Sequence, residues 1–525
     1  MGGAKFHISD SVNTALSDQA KPSTKWSLLE LNVGKRHWLT ILLCLGVFNI
    51  YTTRVALSIA IVAMVKPPVV PSSNYSLSAK STGYVNRTEN QVTIIPVLLE
   101  ICPEPAGLSS AKAIGHTKSP RFEWDSTIQG HILGSYFYGY IVAQIPGGWL
   151  ARRFGGKLPF GLGILIAGIL TVITPIASGY HYGAVIAIRV AEGLSTAICF
   201  PALHHLLSKW SPSRERTRMS TLVAAGAPIG NVVVLGVSGF IGDYLGWEYI
   251  FYVYSGVTGF WFILFQVFVY NSPSEHPGIT DDELKLITGS VEKITTNTDP
   301  KPSPTVPWRR ILTSLPVWAI VFAHFGQNWG NYTLLTNLPT YMRNILNFEL
   351  SANGVFSALP HLALWIFSVS SGYASDYLRH HKYLSTTNCR KLFNTVGNLI
   401  PAVALITVGY VGCDWVAAVT LLTVSVGFSG LTQSSYQVNS LDLSLAFAST
   451  IFSFSNTIAN VPGIISPYSV GLITAGPDGQ SVLNWQIIFY LSGGIRIFTM
   501  IVYGIFASGE VAPWNYAGDL EVVNK

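Results

Sequence analysis

The stretch Gly372-Tyr373-Ala374-Ser375-Asp376-Tyr377-Leu378-Arg379 decides the fold, because an earlier one answers it: Gly148-Trp149-Leu150-Ala151-Arg152-Arg153-Phe154-Gly155. Each begins with a small residue at the end of an apolar run and passes into a charged turn. A helix that spans a bilayer needs roughly 20 mainly apolar residues. Twelve such stretches lie near 38–65, 126–150, 158–178, 183–207, 219–242, 249–271, 312–340, 353–374, 391–411, 415–436, 443–474 and 485–507. Pro462 and Pro467 interrupt the eleventh. The two charged turns follow the second and the eighth stretch, six spans apart. The pattern predicts an all-α membrane protein of twelve transmembrane helices in two pseudo-symmetric six-helix bundles that rock about a midplane site. The plainer alternative is that any cytoplasmic helix end is Gly-rich and basic.

Composition agrees. Of 525 residues, 49% are hydrophobic and 11% charged, against roughly 25% charged in soluble chains. An ordinary cytosolic enzyme, a disordered protein and a nucleic-acid binder are excluded. The net charge of +6 is explained by loop lysines and arginines that set orientation. Five cysteines, Cys44, Cys102, Cys199, Cys389 and Cys413, show no paired spacing, so neither a disulfide framework nor a zinc site is expected.

Basic residues mark alternate loops. Residues 1–37 form a polar tail with Lys5, Lys21, Lys25, Lys35 and Arg36. Arg152, Arg153 and Lys157 follow the second span, Lys209, Arg214, Arg216 and Arg218 the fourth, and Arg379, Lys382, Arg390 and Lys391 the eighth. This positive-inside pattern predicts that both termini, 1–37 and 508–525, are cytoplasmic. The first loop, 66–124, then faces outward and offers Asn74 and Asn86 in sequons for glycosylation. A third sequon at Asn331 falls inside a span. The polar stretch 272–311 reads as a cytoplasmic linker between the bundles 38–271 and 312–507.

An ionisable residue at bilayer depth costs about 2.5–3.5 kcal/mol on insertion scales, so each needs a reason. Arg54 sits far into the first span, with Tyr51 one turn earlier on the same face. Its guanidinium is a planar fork of donors suited to carboxylate or phosphate. Arg189 and Glu192 share one face of the fourth span, either as a self-neutralising pair or as a switch in which protonated Glu192 frees Arg189 for an anion. His131, His204 and His205 lie near interfaces and suggest bland roles. Arg496, midway along the twelfth span, has no evident partner. Gln327-Asn328-Trp329-Gly330-Asn331-Tyr332 is polar in the middle of the seventh span and either bonds neighbouring helices or lines a wet cavity.

These segments resemble the anion transporter family that includes sialin, the vesicular glutamate transporters and the type I sodium–phosphate cotransporters. The resemblance covers Trp38 to Asn515. It rests on Ile132-Leu133-Gly134-Ser135-Tyr136-Phe137-Tyr138-Gly139-Tyr140, Gln144-Ile145-Pro146-Gly147-Gly148, Phe200-Pro201-Ala202, Lys209-Trp210-Ser211-Pro212, Gly246-Trp247-Glu248, Asn439-Ser440-Leu441-Asp442 and Pro513-Trp514. The texture is most similar to invertebrate members described as inorganic phosphate cotransporters, and the turn at Asp376 and Arg379 resembles the loop motif of the major facilitator superfamily.

The resemblance implies the major facilitator fold and cation-coupled symport of an anion, inorganic phosphate or a small organic acid, by alternating access. It implies that Arg54 binds substrate with Tyr51 beside it, that Tyr140, Tyr332 and Gln327 stand at the central site, and that Arg189 and Glu192 form the second, ion-coupling element. Three departures matter. Proton-coupled members have a second acid where this chain has Thr196. Vesicular glutamate transporters have a histidine at Leu133 and an arginine at Gln327. Glutamate transport is therefore disfavoured, and sodium coupling or a proton path through Glu192 alone stays open. A proton-coupled organellar exporter of acidic sugars or amino acids is the alternative, and an anion channel is the rival of a different class. No nucleophile–base pair suggests an enzyme, no cofactor is expected beyond the coupling sodium or proton, and no nucleic acid or obligate protein partner is implied. Leu28-Leu29 lacks the upstream acid of a sorting signal, which favours the plasma membrane over a lysosomal or vesicular one.

Overall fold

In hydrocarbon a backbone must satisfy its own hydrogen bonds, so apolar runs of this length become helices. The computed structural model describes residues 34–66, 102, 122–212, 215–295, 306–444, 447–476 and 479–516. The sequons at Asn74 and Asn86 lie outside the described residues. In chain order, α1 is Lys35–Met64, α2 Ser126–Phe154 and α3 Lys157–Ser178. α4 comprises Tyr182–Ala197 and Cys199–Trp210, α5 Arg216–Ala224 and Gly226–Tyr244, and α6 Trp247–Phe268. α7 is Leu315–Asn344, α8 Leu350–His380 and α9 Thr386–Val408. α10 runs through Trp415–Ser429 and Tyr436–Leu443, α11 through Ala448–Ala459 and Pro462–Ile473, and α12 is Val482–Phe506.

Among the described residues every expected span is helical. The eleventh breaks just before Pro462, which has no amide hydrogen to continue a ladder. Among the described residues, nine helices are long and apolar enough to cross a membrane by length and composition alone. α2, α7 and α11 fall short of that test, and these are helices on which the two halves meet.

Starts are fixed locally. The Asp125 carboxylate accepts from the Ile128 amide at 2.7 Å, and Asp414 accepts from Val416 and Ala417 at 3.1 Å each, satisfying donors that the first turn leaves free. Gly155, at φ +78°, turns the chain from α2 into α3, where the Lys157 amide donates to Asn271 Oδ1 at 2.9 Å.

An even number of spans leaves Lys35 and Phe506 on one side, the terminal side, and Met64 and Ser126 on the other, the loop side. Packing runs α1·α5, α2·α4 and α3·α6 in the first half, and α9·α12, α7·α12 and α8·α10 in the second. The halves meet through α5 against α8, α2 against α11 and α1 against α7. Glycines set the close approach: a Cβ on Gly239 would stand 2.4 Å from the Leu350 carbonyl oxygen, and one on Gly130 2.5 Å from that of Pro467. Small residues let such backbones touch. These approaches lie toward the loop side, where the Ser351 amide also donates to Asp243 at 2.8 Å and Gln480 to Ser126 at 3.1 Å. Toward the terminal side the halves share a single long hydrogen bond among the described residues, from Asn456 to Gln144 at 3.5 Å. The contacts therefore seal the loop side.

One expectation is corrected. Cys102 and Cys413 form a disulfide across 311 residues, joining the first loop to the α9–α10 turn. Residues so far apart in sequence give no spacing signal; the fold brings them together. Cys44, Cys199 and Cys389 are free.

On the terminal side, the linker carries a helix, Asp281–Thr295, docked on the start of α1. Glu283 accepts from the amides of Lys35 at 3.0 Å and Arg36 at 3.1 Å, as an anion at a helix N-terminus should. Arg36 also pairs with Glu283 at 3.1 Å and with Glu215 at 2.7 Å. Its guanidinium holds the Glu215 carboxyl below the usual carboxylate range.

Candidate functional site

Arg54 lies on the inner face of α1, 9% exposed. Its guanidinium carbon stands 4.5 Å from the Phe137 ring centre, 5.0 Å from Tyr136, 5.1 Å from Tyr332 and 5.6 Å from Tyr51. Among the described residues no carboxylate pairs with it. Each cation–π contact is worth about 0.5–2 kcal/mol, so four ring faces can offset an insertion cost of about 2.5–3.5 kcal/mol. They do so without neutralising the charge. The result is a buried cation held by rings, with no anion beside it among the described residues.

A second cluster stands directly behind it. Arg189 Nη1 donates to Glu192 Oε2 at 2.6 Å, and the Thr171 hydroxyl donates to Glu192 Oε1 at 2.9 Å. Arg189 Nη2 donates to the backbone carbonyl of Arg54 at 2.9 Å. The spacing of three residues on α4 aligns the pair, as the sequence suggests, and α3 supplies the third group.

Tyr136 belongs to both clusters and was not singled out by sequence reasoning. Its ring lies 5.0 Å from the Arg54 guanidinium carbon and 5.2 Å from that of Arg189, so it separates two like charges. Its hydroxyl shares a 2.6 Å hydrogen bond with Thr196, and the Thr196 hydroxyl also lies 2.7 Å from the Glu192 carbonyl. The position that departs from the proton-coupled pattern thus anchors the tyrosine. Tyr140, four residues on, stacks against Tyr136 with ring centres 5.8 Å apart. That helical spacing, with Arg54 already chosen, is the signal that could have found Tyr136.

Tyr332 donates to Asn460 Oδ1 at 2.9 Å and Asn328 to the Ala459 carbonyl at 2.7 Å, both at the break in α11. Gln327 lies apart from the Arg54 cluster and bonds neighbouring helices. On another face of α7, it donates to the Ser429 carbonyl at 3.3 Å and accepts from Arg496 Nη1 at 3.1 Å. A five-residue step from 327 to 332 is about 500° of helix, so the two side chains diverge by about 140°. Arg496, 1% exposed, is turned inward rather than toward lipid; Nη1 also reaches Asn398 Oδ1 at 3.4 Å, and its guanidinium fills the space beside Gly330.

Residues 40–467 match the model of the Major Facilitator Superfamily. The chain belongs to that superfamily. It is similar to human sialin, 39% identical over 479 residues that cover 91% of this chain and 90% of sialin. A Drosophila melanogaster protein named "Putative inorganic phosphate cotransporter" is 36% identical over 93% of this chain and 87% of its own. Vesicular glutamate transporter 1 of Bos taurus is 38% identical over 76% and 71%. Among solved structures, a bacterial homologue of the human lysosomal transporter Spinster, inward-facing and occupied, superposes with a TM-score of 0.62 at 12% identity, covering 89% of this chain and 96% of that one. A D-xylose–proton symporter gives 0.60 at 13% identity, over 90% and 99%. The major facilitator fold is thus shown, and this member of the superfamily is a multi-pass membrane transporter, not an enzyme.

Proposed function

We propose that this transporter couples the movement of a small anion, inorganic phosphate or an organic acid, to that of a cation, sodium or proton, by alternating access. The observation that carries the reading is Arg54: a buried guanidinium among four rings, with no carboxylate partner among the described residues. Phosphate and carboxylate fit the same fork, and relatives named for phosphate and for glutamate agree with an anionic cargo. The hydrogen bond from Arg189 to the Arg54 carbonyl supplies the coupling route. When Glu192 is charged it holds Arg189; when it is neutralised, Arg189 is released and the Arg54 backbone loses an anchor. Tyr51, Tyr136, Tyr140 and Tyr332 shape the cage.

We place the terminal side in the cytoplasm and the loop side outside, with Asn74 and Asn86 glycosylated. The basic loops support this orientation, and so does the disulfide, since such bonds persist in oxidising compartments. The unaccompanied Leu28-Leu29 supports the plasma membrane.

The test is uptake of labelled phosphate into cells expressing the chain, with sodium present or replaced by choline, and with an imposed pH gradient. Cation-dependent uptake that disappears in Arg54→Ala at equal surface expression supports the reading. Uptake that survives in Arg54→Ala removes Arg54 from the site. Uptake of sialic acid or glutamate, but not phosphate, would select the organic-acid arm and favour the proton-coupled exporter.

A further inference from the structure

His361, on α8, is 1% exposed, and among the described residues neither ring nitrogen has a hydrogen-bond partner. Buried polar groups are almost always bonded, and an exception asks for an explanation. Its place gives one. Gly354, Ala358 and His361 follow one another at spacings of four and three on one face of α8. That face meets α5: a Cβ on Gly354 would stand 2.6 Å from the Leu235 carbonyl, and one on Gly236 3.7 Å from the Ala358 Cβ. The helices run antiparallel, so the register that opposes Gly239 to Leu350 carries Asn231 to the level of His361. Asn231 is 6% exposed, and its Oδ1 is likewise unpartnered.

His361 therefore stands on the seam between the halves, at mid-depth. It is also where the seal ends: after His361, no residue of α8 is fully buried until Ser371. A side chain here is dry while the loop side is closed and meets water when α5 and α8 part.

We propose that His361 is a proton-binding site at this seam, so that the coupling cation is a proton taken up from the loop side. The inference rests on the carrier reading above. A charged imidazolium under the closed seam would be a buried cation with no carboxylate, which is costly; the neutral ring is tolerated. Acid on the loop side therefore favours the arrangement in which the seam is parted. Closing it again requires either release of the proton or an anion nearby, and a bound anionic substrate supplies the latter.

The titratable and charged groups on the helices packed against α8 leave room for this. Within Gly226–Gly242, α5 carries none, and Asp243 lies at its loop end. α1 contributes Tyr51 and Arg54 at mid-depth, and α7 contributes Tyr332, with His324 toward the terminal side and Arg343 toward the loop side. Arg390 of α9 lies near the terminal side, where it pairs with Asp442 of α10 at 2.7 Å; α10 also carries Tyr436 on that side, and Asp414 lies beyond its loop end. None of the mid-depth groups is an acid that would hold the proton in the closed form. An unperturbed imidazole titrates near 6.5, so among these groups His361 is the one suited to take up and release a proton.

The experiment uses the full chain, purified, with Cys44→Ser and spin labels at Tyr244→Cys and Tyr410→Cys, exposed loop-side positions on opposite halves. The label separation is measured from about pH 8 to about pH 5, bracketing the ordinary histidine range. The expected result is a long-distance population that rises severalfold on acidification in the parent and stays flat in His361→Gln. Equal titration in both chains, or no pH response in the parent, overturns the proposal; a histidine satisfied by trapped water would behave that way. Should His361→Gln fail to fold, Asn231→Asp sets a carboxylate at the same level and is expected to move the midpoint to higher pH, and an unmoved midpoint overturns the proposal. Arg54→Ala keeps the pH response while losing phosphate uptake, so failure of the anion site and failure of the proton site give different records.

Discussion

Arg189 reaches past its own ion-pair partner to donate to the backbone carbonyl of Arg54 at 2.9 Å. Through this bond a charged group on α4 is tied to the main chain of α1 at the residue we propose as the anion site. The two arginines repel, and the Tyr136 ring stands between them. The cluster is a compact device for making one charge depend on another.

Arg54→Lys tests the fork. A lysine keeps the charge but offers a point donor in place of a planar one. The expected outcome is uptake with a raised apparent KM and near-normal surface expression, whereas Arg54→Ala abolishes uptake. Equal KM values for Arg54→Lys and the parent would show that only charge matters.

Glu192→Ala strands Arg189. Removing one partner of a buried ion pair costs about 3–5 kcal/mol, and the side chains here are 5% and 3% exposed. A fall in Tm is expected, partly restored in Arg189→Ala/Glu192→Ala, with transport lost in both. A single variant as stable as the parent would mean that Glu192 is neutral in the resting protein.

Gly330→Ala tests the packing of Arg496. A Cβ there would stand 2.2 Å from the guanidinium Nε, and overfilling a packed interior costs about 1–3 kcal/mol. The variant is expected to melt lower than the parent; Gly372→Ala, where a Cβ meets nothing within 4 Å, is expected to melt unchanged.

Arg36 and Glu215 give a pH-dependent contact outside the membrane. The Glu215 carboxyl titrates below its unfolded value near 4.3, because Arg36 bonds its charged form. Its stabilisation is therefore fully present above that value and disappears as pH falls through the lower folded one. The pair is partly exposed, so the effect is small, about 1 kcal/mol or less. Glu215→Gln should lower Tm slightly at pH 7, and the difference should shrink as pH falls below about 4.3.

The disulfide is checked by cutting. A protease site placed within 296–305 separates Cys102 from Cys413 along the chain. The two fragments are expected to migrate together on a non-reducing gel and apart after reduction; fragments that separate without reductant would show that the bond is absent.

The spans were legible because length and apolarity are local properties, and Arg54, Arg189 and Glu192 were legible because a charge at bilayer depth stands out wherever it falls. What was not legible is azimuth and distance. Gln327 and Tyr332 look like one polar cluster in sequence, yet the helix sends them to different neighbours. Tyr136 reads as one of many aromatic residues until Arg54 and Arg189 are found on either side of it. Arg496 had no evident partner in the sequence, but its side chain points inward to Gln327 and Asn398. Cys102 and Cys413 carry no mark of each other. His361 was passed over because nothing local distinguishes a histidine with empty nitrogens from one whose bonds are made.

The bond between Cys102 and Cys413 also records time. The first cysteine is made early in synthesis, and its partner arrives only after nine spans have been laid down. Until then Cys102 is an unclaimed thiol. Oxidation of this pair thus certifies that the chain has been made through its ninth span and that the α9–α10 turn has met the first loop, and an alkylating reagent added during synthesis would sort molecules that have reached that stage from those that have not.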